Sequence, residues 1–299
     1  MRIITENLSY TYSEKSKALA VQALKDISLT IEEGEFFGIV GKTGSGKSTL
    51  IQHFNGLIPL GKNNGEIIVG DIDLSQKKPD YKKLRANVGM VFQYPEYQLF
   101  AETIEEDVAF GIKNFLPNIS EQEKKQLVKN AINAVGLDYE KVKDKSPFEL
   151  SGGQKRRVAI AGVIVTRPQV LVLDEPAAGL DPKGKREFLA LLKKLHADFV
   201  KTIIIVSHDM NLVSEHCTSV AIMKDGKIIK KGSPKEIFTD KKIIEQADLE
   251  LPLTAHLTNV LKEKGINVEN NLTVEDFIKS VKKAFERQKD GGEKNLWKM

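Results

Sequence analysis

Sulfur, long apolar runs and a charge excess of either sign are all scarce in this sequence. Its one cysteine, Cys217, among 299 residues can close no internal disulfide and can anchor no four-residue metal constellation. That usage suits a reducing cytosol. No uninterrupted apolar run approaches the ~20 residues that cross a bilayer, so no transmembrane helix is expected. Runs such as Val170-Leu171-Val172-Leu173 and Ile203-Ile204-Ile205-Val206 have the length of buried strands instead. The first residues, 1–7, hold no apolar core long enough for a secretory signal and include an acid, so the chain is expected to stay where it is made. Lys plus Arg total 45 and Asp plus Glu 41, a formal net charge of +4 spread through mixed-sign stretches. Nothing in that balance asks for a nucleic-acid partner.

The length exceeds the size at which one hydrophobic core usually stops growing, so a large α/β domain and a smaller appendage are expected. Leu8-Ser9-Tyr10-Thr11-Tyr12 and Ile27-Ser28-Leu29-Thr30-Ile31 alternate apolar and polar residues, which predicts antiparallel strands around a loop near 15–20. After a turn at Glu32-Glu33-Gly34, Phe36-Phe37-Gly38-Ile39-Val40 reads as a buried strand leading into a Gly-rich loop and a helix over about 47–56. Ser120 and Glu123 have capping-box spacing, and Leu127, Val128, Ala131, Ile132 and Val135 form a helical stripe that Gly136 closes. Residues 183–196 read as a crossover helix with Phe188, Leu189, Leu191, Leu192 and Leu195 inward, and residues 224–227 as a hairpin turn. Beyond 240 the pattern shifts to short helices. Thr254 is a candidate cap for one, with Leu257, Val260 and Leu261 inward and Gly265 at its end; Thr273 opens another with Phe277, Ile278, Val281 and Phe285. Residues 287–299 are polar and are expected to fray.

The chemistry concentrates in a few short motifs. Gly41-Lys42-Thr43-Gly44-Ser45-Gly46-Lys47-Ser48, with Thr49 next, matches the phosphate-loop template between a strand and a helix. Its glycines let backbone N–H groups converge on phosphates, the helix start adds about half a positive charge, and Lys47 adds a full one. Ser48 can offer its hydroxyl to Mg²⁺, and Asp174, closing an apolar strand, can hold the same ion. Glu175, pointing elsewhere than its neighbour, can polarise an attacking water; a helix-cap or salt-bridge acid is the plainer alternative. His208 follows a strand by two residues and so stands where a γ phosphate can be reached. Gln93 can ligand Mg²⁺ or orient water, or be a solvated strand end.

Together with these, Leu150-Ser151-Gly152-Gly153-Gln154 resembles the signature sequence of the ATP-binding cassette (ABC) family. Leu171-Val172-Leu173-Asp174-Glu175-Pro176 resembles its second phosphate-site strand, Gly179-Leu180-Asp181 its D-loop and Ser207-His208-Asp209 its switch histidine, a match over about residues 3–240. The resemblance implies a P-loop NTPase cassette: a RecA-like parallel sheet core, an N-terminal antiparallel β subdomain and a helical signature subdomain at about 95–165. It also implies ATP and Mg²⁺ as cofactors, hydrolysis with Glu175, His208 and Gln93 as catalytic groups, and two cassettes head to tail. Each ATP would lie between one chain's Lys47 loop and the other's Ser151, Gly152, Gly153 and Gln154, with Asp181 in the D-loop. An N-terminal aromatic stacked on adenine is also implied; Tyr12 is the first candidate and Tyr10 its rival, and either could be a cross-strand packing residue.

Gln93-Tyr94-Pro95-Glu96-Tyr97-Gln98-Leu99-Phe100 and the following Thr103 to Gly111 stretch are similar to the ATPases of energy-coupling factor and cobalt or nickel importers. That narrower resemblance implies a subunit peripheral to the cytoplasmic face of the cell membrane. Its partners would be a second cassette, favouring a heterodimer over a homodimer, a transmembrane coupling protein and a substrate-binding membrane component, with vitamins or transition metal ions as cargo. Residues 94–100 would lie beside the groove for the coupling helix, residues 241–288 would form a helical dimerisation appendage, and residues 289–299 a flexible tail. A soluble ABC ATPase acting on nucleic acid, ribosomes or cluster assembly is the alternative; the sequence has no heptad insertion for the coiled-coil arms that such proteins can carry.

Overall fold

A computed structural model describes residues 1–12 and 20–290. Along the chain run β1 (Ile3–Tyr12), β2 (Val21–Ile31), β3 (Phe36–Val40), α1 (Lys47–Phe54), β4 (Glu66–Val69), β5 (Ile72–Asp73), α2 (Tyr81–Asn87) and β6 (Val88–Val91). A 3-10 turn at Pro95–Gln98 leads to α3 (Ile104–Phe115), α4 (Glu121–Ala134) and α5 (Tyr139–Val142), and a second at Pro147–Glu149 leads to α6 (Gly152–Ile164). Then come β7 (Val170–Asp174), α7 (Pro182–Asp198), β8 (Thr202–Val206), α8 (Met210–His216), β9 (Ser219–Lys224) and β10 (Lys227–Gly232). The chain closes with α9 (Pro234–Phe238), α10 (Lys241–Gln246), α11 (Leu253–Glu263) and α12 (Val274–Asp290).

Two sheets result. A four-stranded sheet runs β2-β1-β4-β5 with antiparallel pairing, as the alternation in the first thirty residues predicts. A six-stranded sheet runs β10-β9-β3-β8-β7-β6 and is parallel except for the β9–β10 hairpin. Every residue of β3, β7 and β8 is buried, which is why these strands are apolar on both faces. Alternate residues feed different cores: Leu171 and Leu173 join the helices, whereas Val170 and Val172 face the antiparallel sheet and α1. The parallel strands need crossovers, and α7 supplies the one between β7 and β8 with Phe188, Leu189, Leu191, Leu192 and Leu195 buried. Helices α3 to α6 complete the first core; α4 carries the predicted capping box at Ser120 and Glu123.

The C-terminal helices depart from the sequence pattern in three places. Pro252, not Thr254, is the N-cap of α11, and Thr254 is buried with its hydroxyl donating to the Leu272 carbonyl. Leu257 and Ile278, expected inward, are 37% and 47% exposed, so the apolar stripes are wider than the faces that pack. Ile266, Val268 and Ala284 form a small separate core with Leu261, Phe277, Val281 and Phe285, while Ile244 and Ala247, in and just after α10, belong to the main core. Helix α12 continues to Asp290, past the point where fraying was expected, and the rest of that tail and loop residues 15–19 lie outside the described residues.

Candidate active site

Strand order explains how distant motifs meet. In the parallel sheet β3, β8, β7 and β6 are consecutive, so their carboxyl ends deliver the phosphate loop, His208, Asp174 with Glu175, and Gln93 to one edge. A cavity of about 880 Å³ opens there, lined among others by Tyr12, Thr43, Gly44, Gly46, Lys47, Ser48, Thr49, Gln93, Asp174, Glu175 and His208. The loop turns sharply at Gly46, with φ +98°, where an added Cβ would stand 2.5 Å from the Ala23 carbonyl; any side chain would be strained and would collide. Helix α1 begins one residue later, so its free N–H groups open into the cavity.

Charge is concentrated at this edge, and two of its charged side chains are buried. Lys47 and Asp174 are each 8% exposed. The Lys47 ammonium donates to the carbonyls of Gly41 at 2.7 Å and Lys42 at 2.9 Å. Burial lowers its pKa, and Glu175 and Asp174 act in the opposite sense. Burial raises Asp174 above the usual carboxylate range against the Ser48 hydroxyl, which hydrogen-bonds it, and Lys47. Glu175 is likewise raised by burial, opposed by His208 and then Lys47. Its carboxylate lies 2.8 Å from His208 Nδ1, with the histidine side chain 75% exposed and the glutamate 16%. Glu175 has φ +46°, an unfavourable conformation for a non-glycine residue, pinned by its N–H donating to the Val206 carbonyl. Ser48, Asp174 and Gln93 present hard oxygen donors on the same cavity, the set that suits Mg²⁺ shared with phosphate oxygens. Among the described residues no three His, Cys, Asp or Glu side chains could hold a metal alone.

The other expected site residues are placed differently. Gly41, Lys42 and Ser45 belong to the loop but not to the cavity wall: Lys42 lies 3.7 Å from Asp248, and the Ser45 hydroxyl is buried without a partner among the described residues. Ser151, Gly152, Gly153 and Gln154 lie outside the cavity, at the exposed start of α6, where Ser151 and Gln154 form a capping box. An added Cβ at Gly152 or Gly153 meets no described atom within 4 Å. Asp181 caps α7 through the Gly184 N–H at 2.7 Å. Tyr12 is 43% exposed on the cavity wall with its hydroxyl 3.2 Å from that of Thr49, whereas Tyr10 is packed edge-on against His53.

Sequence reasoning missed part of the wall. Gln22, Ala23 and Lys25 of β2 and the turn at Asp225 and Gly226 also line the cavity. The Lys25 N–H donates to the Gly226 carbonyl and the Gly226 N–H to that of Ser45, so the hairpin buttresses the phosphate loop. The Asp-Gly pair announced that turn, but nothing local announced what it would touch.

A phosphate cradle, paired carboxylates at a sheet edge and an outward-facing glycine helix start define an ABC-type nucleotide-binding unit. Comparison with known proteins agrees: the ABC transporter family pattern matches residues 24–178, and the chain belongs to that family. It is 51% identical over 286 residues to the energy-coupling factor transporter ATP-binding protein EcfA2 of Clostridium tetani (strain Massachusetts / E88), covering 95% of this chain and 98% of that one. It is 48% identical over 272 residues to the protein of the same name from Clostridium perfringens (strain 13 / Type A), covering 91% and 94%. Among solved structures, cbiO1 of Clostridium perfringens, part of the ABC transporter complex cbiONQ, superposes with a TM-score of 0.70 at 42% identity over 86% of this chain and 98% of that one. The ATP-binding cassette MJ0796, a dimer in a post-hydrolysis state with ADP and Pi, gives 0.66 at 31% identity over 78% and 98%.

Proposed function

We propose that this chain is the ATP-hydrolysing subunit of an energy-coupling factor importer. It works as one of two cassettes on the cytoplasmic face of the cell membrane, where ATP binding and hydrolysis drive uptake of a vitamin or transition metal ion. The observation that carries this is the division of the site. The chain builds a buried cradle for a triphosphate around Lys47, yet its signature residues stand outside that cavity with glycines that the packing of the described residues does not require. A second cassette facing head to tail would bring its own Ser151-type helix start to the γ phosphate, adding N–H donors and a hydroxyl. The chemistry within this chain then follows: Lys47 neutralises the β and γ phosphates, Glu175 polarises the attacking water by accepting a hydrogen bond from it, and His208 holds Glu175 in place while reaching the γ phosphate. Bound Mg²⁺, held by Ser48, Asp174 and Gln93, would neutralise phosphate charge. Tyr12, exposed on the cavity wall, would stack on adenine in preference to Tyr10.

Three further features support the importer reading. Relatives named for that transporter match nearly their full length. Phe100 and Phe110, 62% and 49% exposed and stacked edge to face, border a groove of about 350 Å³ that also includes Leu57 and Phe92, apt for the coupling helix of a transmembrane partner. Leu253 and Leu257 on α11 and Val274 and Ile278 on α12 are exposed apolar residues at four-residue spacing, a face on which the appendage of a second cassette, a different chain by preference, would pair. Among the described residues no helix is long and apolar enough to cross a membrane, so attachment would run through the integral partners. Affinity purification from native membranes tests the proposal: a second cassette, a coupling protein and a substrate-binding membrane protein should come along. Recovery with ribosomes or DNA instead would overturn it.

A further inference from the structure

Arg156 lies in the second turn of α6, five residues beyond Ser151, and only 5% of its side chain is exposed. Four hydrogen bonds absorb its guanidinium. Nε and one terminal nitrogen grip the two oxygens of Glu96 at 3.0 and 2.9 Å, while the terminal nitrogens also reach the carbonyls of Pro176 at 3.0 Å and Ala178 at 3.2 Å. Each partner sits beside an ATP-facing motif. Glu96 is three residues after Gln93 on the 3-10 turn, and Pro176 and Ala178 form the turn leaving Glu175. That turn starts from the unfavourable φ of Glu175, so it needs external restraint to keep its shape. Burial opposes the Glu96 charge and the Arg156 guanidinium overcomes it, holding the carboxyl below its usual range.

We propose that Arg156 is a positioning residue: it fastens the hydrolytic turn of this chain's own ATP site to the signature helix it offers to the opposing cassette, so that the two composite sites are set together. The inference rests on the ATPase reading above. Planarity is essential to the role, because a guanidinium meets a carboxylate with two parallel bonds and still has donors for two carbonyls, which an ammonium on a flexible stem cannot satisfy at once. A movement of the signature helix on closing over the partner's ATP would thus be felt at Pro176, the neighbour of Glu175.

The experiment uses the complex purified from membranes, with steady-state hydrolysis followed over a range of MgATP. The double variant Glu96→Gln with Arg156→Met removes both charges and leaves no unpaired buried ion, so it should melt within about 3 °C of the unmodified complex. Its turnover should nevertheless fall at least ~10-fold while KM for MgATP changes less than ~2-fold, because methionine donates nothing to the Pro176 and Ala178 carbonyls. Arg156→Lys should fall in between, at roughly 3-fold. Unmodified turnover in the double variant would overturn the inference; should that variant fail to fold, unmodified turnover in Arg156→Lys would do the same. No hydrolysis by the unmodified complex would instead sink the ATPase reading, and this inference with it.

Discussion

The edge that carries Lys47 and the helix end that carries Ser151 are built on opposite principles. At the first, a lysine and an aspartate are each 8% exposed, two adjacent carboxylates are pushed up by burial, and a glycine is fixed where a Cβ would collide. At the second, Ser151, Gly152 and Gly153 are exposed and a Cβ on either glycine would touch no described atom within 4 Å. Glycine in a helix costs up to ~1 kcal/mol relative to alanine, so a pair with no steric purpose among the described residues points to something approaching from outside. The first region is packed against its own chain; the second stands open to whatever faces it.

Substitutions at the two regions should therefore fail in different ways. The largest effect belongs to the first: Glu175→Gln should lower turnover ~100-fold or more while MgATP still binds, measured by steady-state hydrolysis and calorimetry. Gly153→Ala should lower turnover about 10-fold while stabilising the isolated chain by about 0.5 kcal/mol, an opposition of sign that a merely structural glycine would not give. Tyr12→Ala should act on binding, raising KM for MgATP about 5-fold with little change in turnover. The smallest effect concerns the cost of the finished site. Glu175 has a folded pKa above its unfolded value, so its charge opposes folding above the folded pKa, and that penalty fades as pH falls toward the unfolded pKa. Glu175→Gln should accordingly raise the melting temperature by about 2 °C at neutral pH, with the gain vanishing in acid below the ordinary carboxylate range. A gain that grew on acidification would contradict the raised pKa.

The two regions were also unequally legible in the sequence. Strand, loop and helix around Lys47 are contiguous, and the four-residue apolar runs before Asp174 and His208 mark central parallel strands, so the meeting of these motifs at one edge follows from sheet topology. Ser120 with Glu123 and the inward face of α7 were readable for the same reason, since both are periodic within one element. What escaped depends on contacts between elements. Glu96 and Arg156 are 60 positions apart, and no local spacing brings them together. Thr254 has a capping residue's chemistry, but Pro252 starts the helix and tertiary packing buries the threonine against Leu272. Leu257 and Ile278 continue apolar stripes whose outer edges this chain leaves uncovered.

The claim that the cradle of one cassette is closed by the signature helix of another can be tested by cross-linking. A cysteine replacing Ser151 here and one placed in the phosphate loop of the co-purified cassette would be oxidised with and without MgATP, in a Glu175→Gln background whose slowed hydrolysis should prolong the ATP-bound state. The native Cys217 is buried and its thiol pKa is raised by that burial, so it should stay silent. The account predicts a cross-link that forms with MgATP and is weak without it. No cross-link in either condition, or equal yields in both, would contradict it.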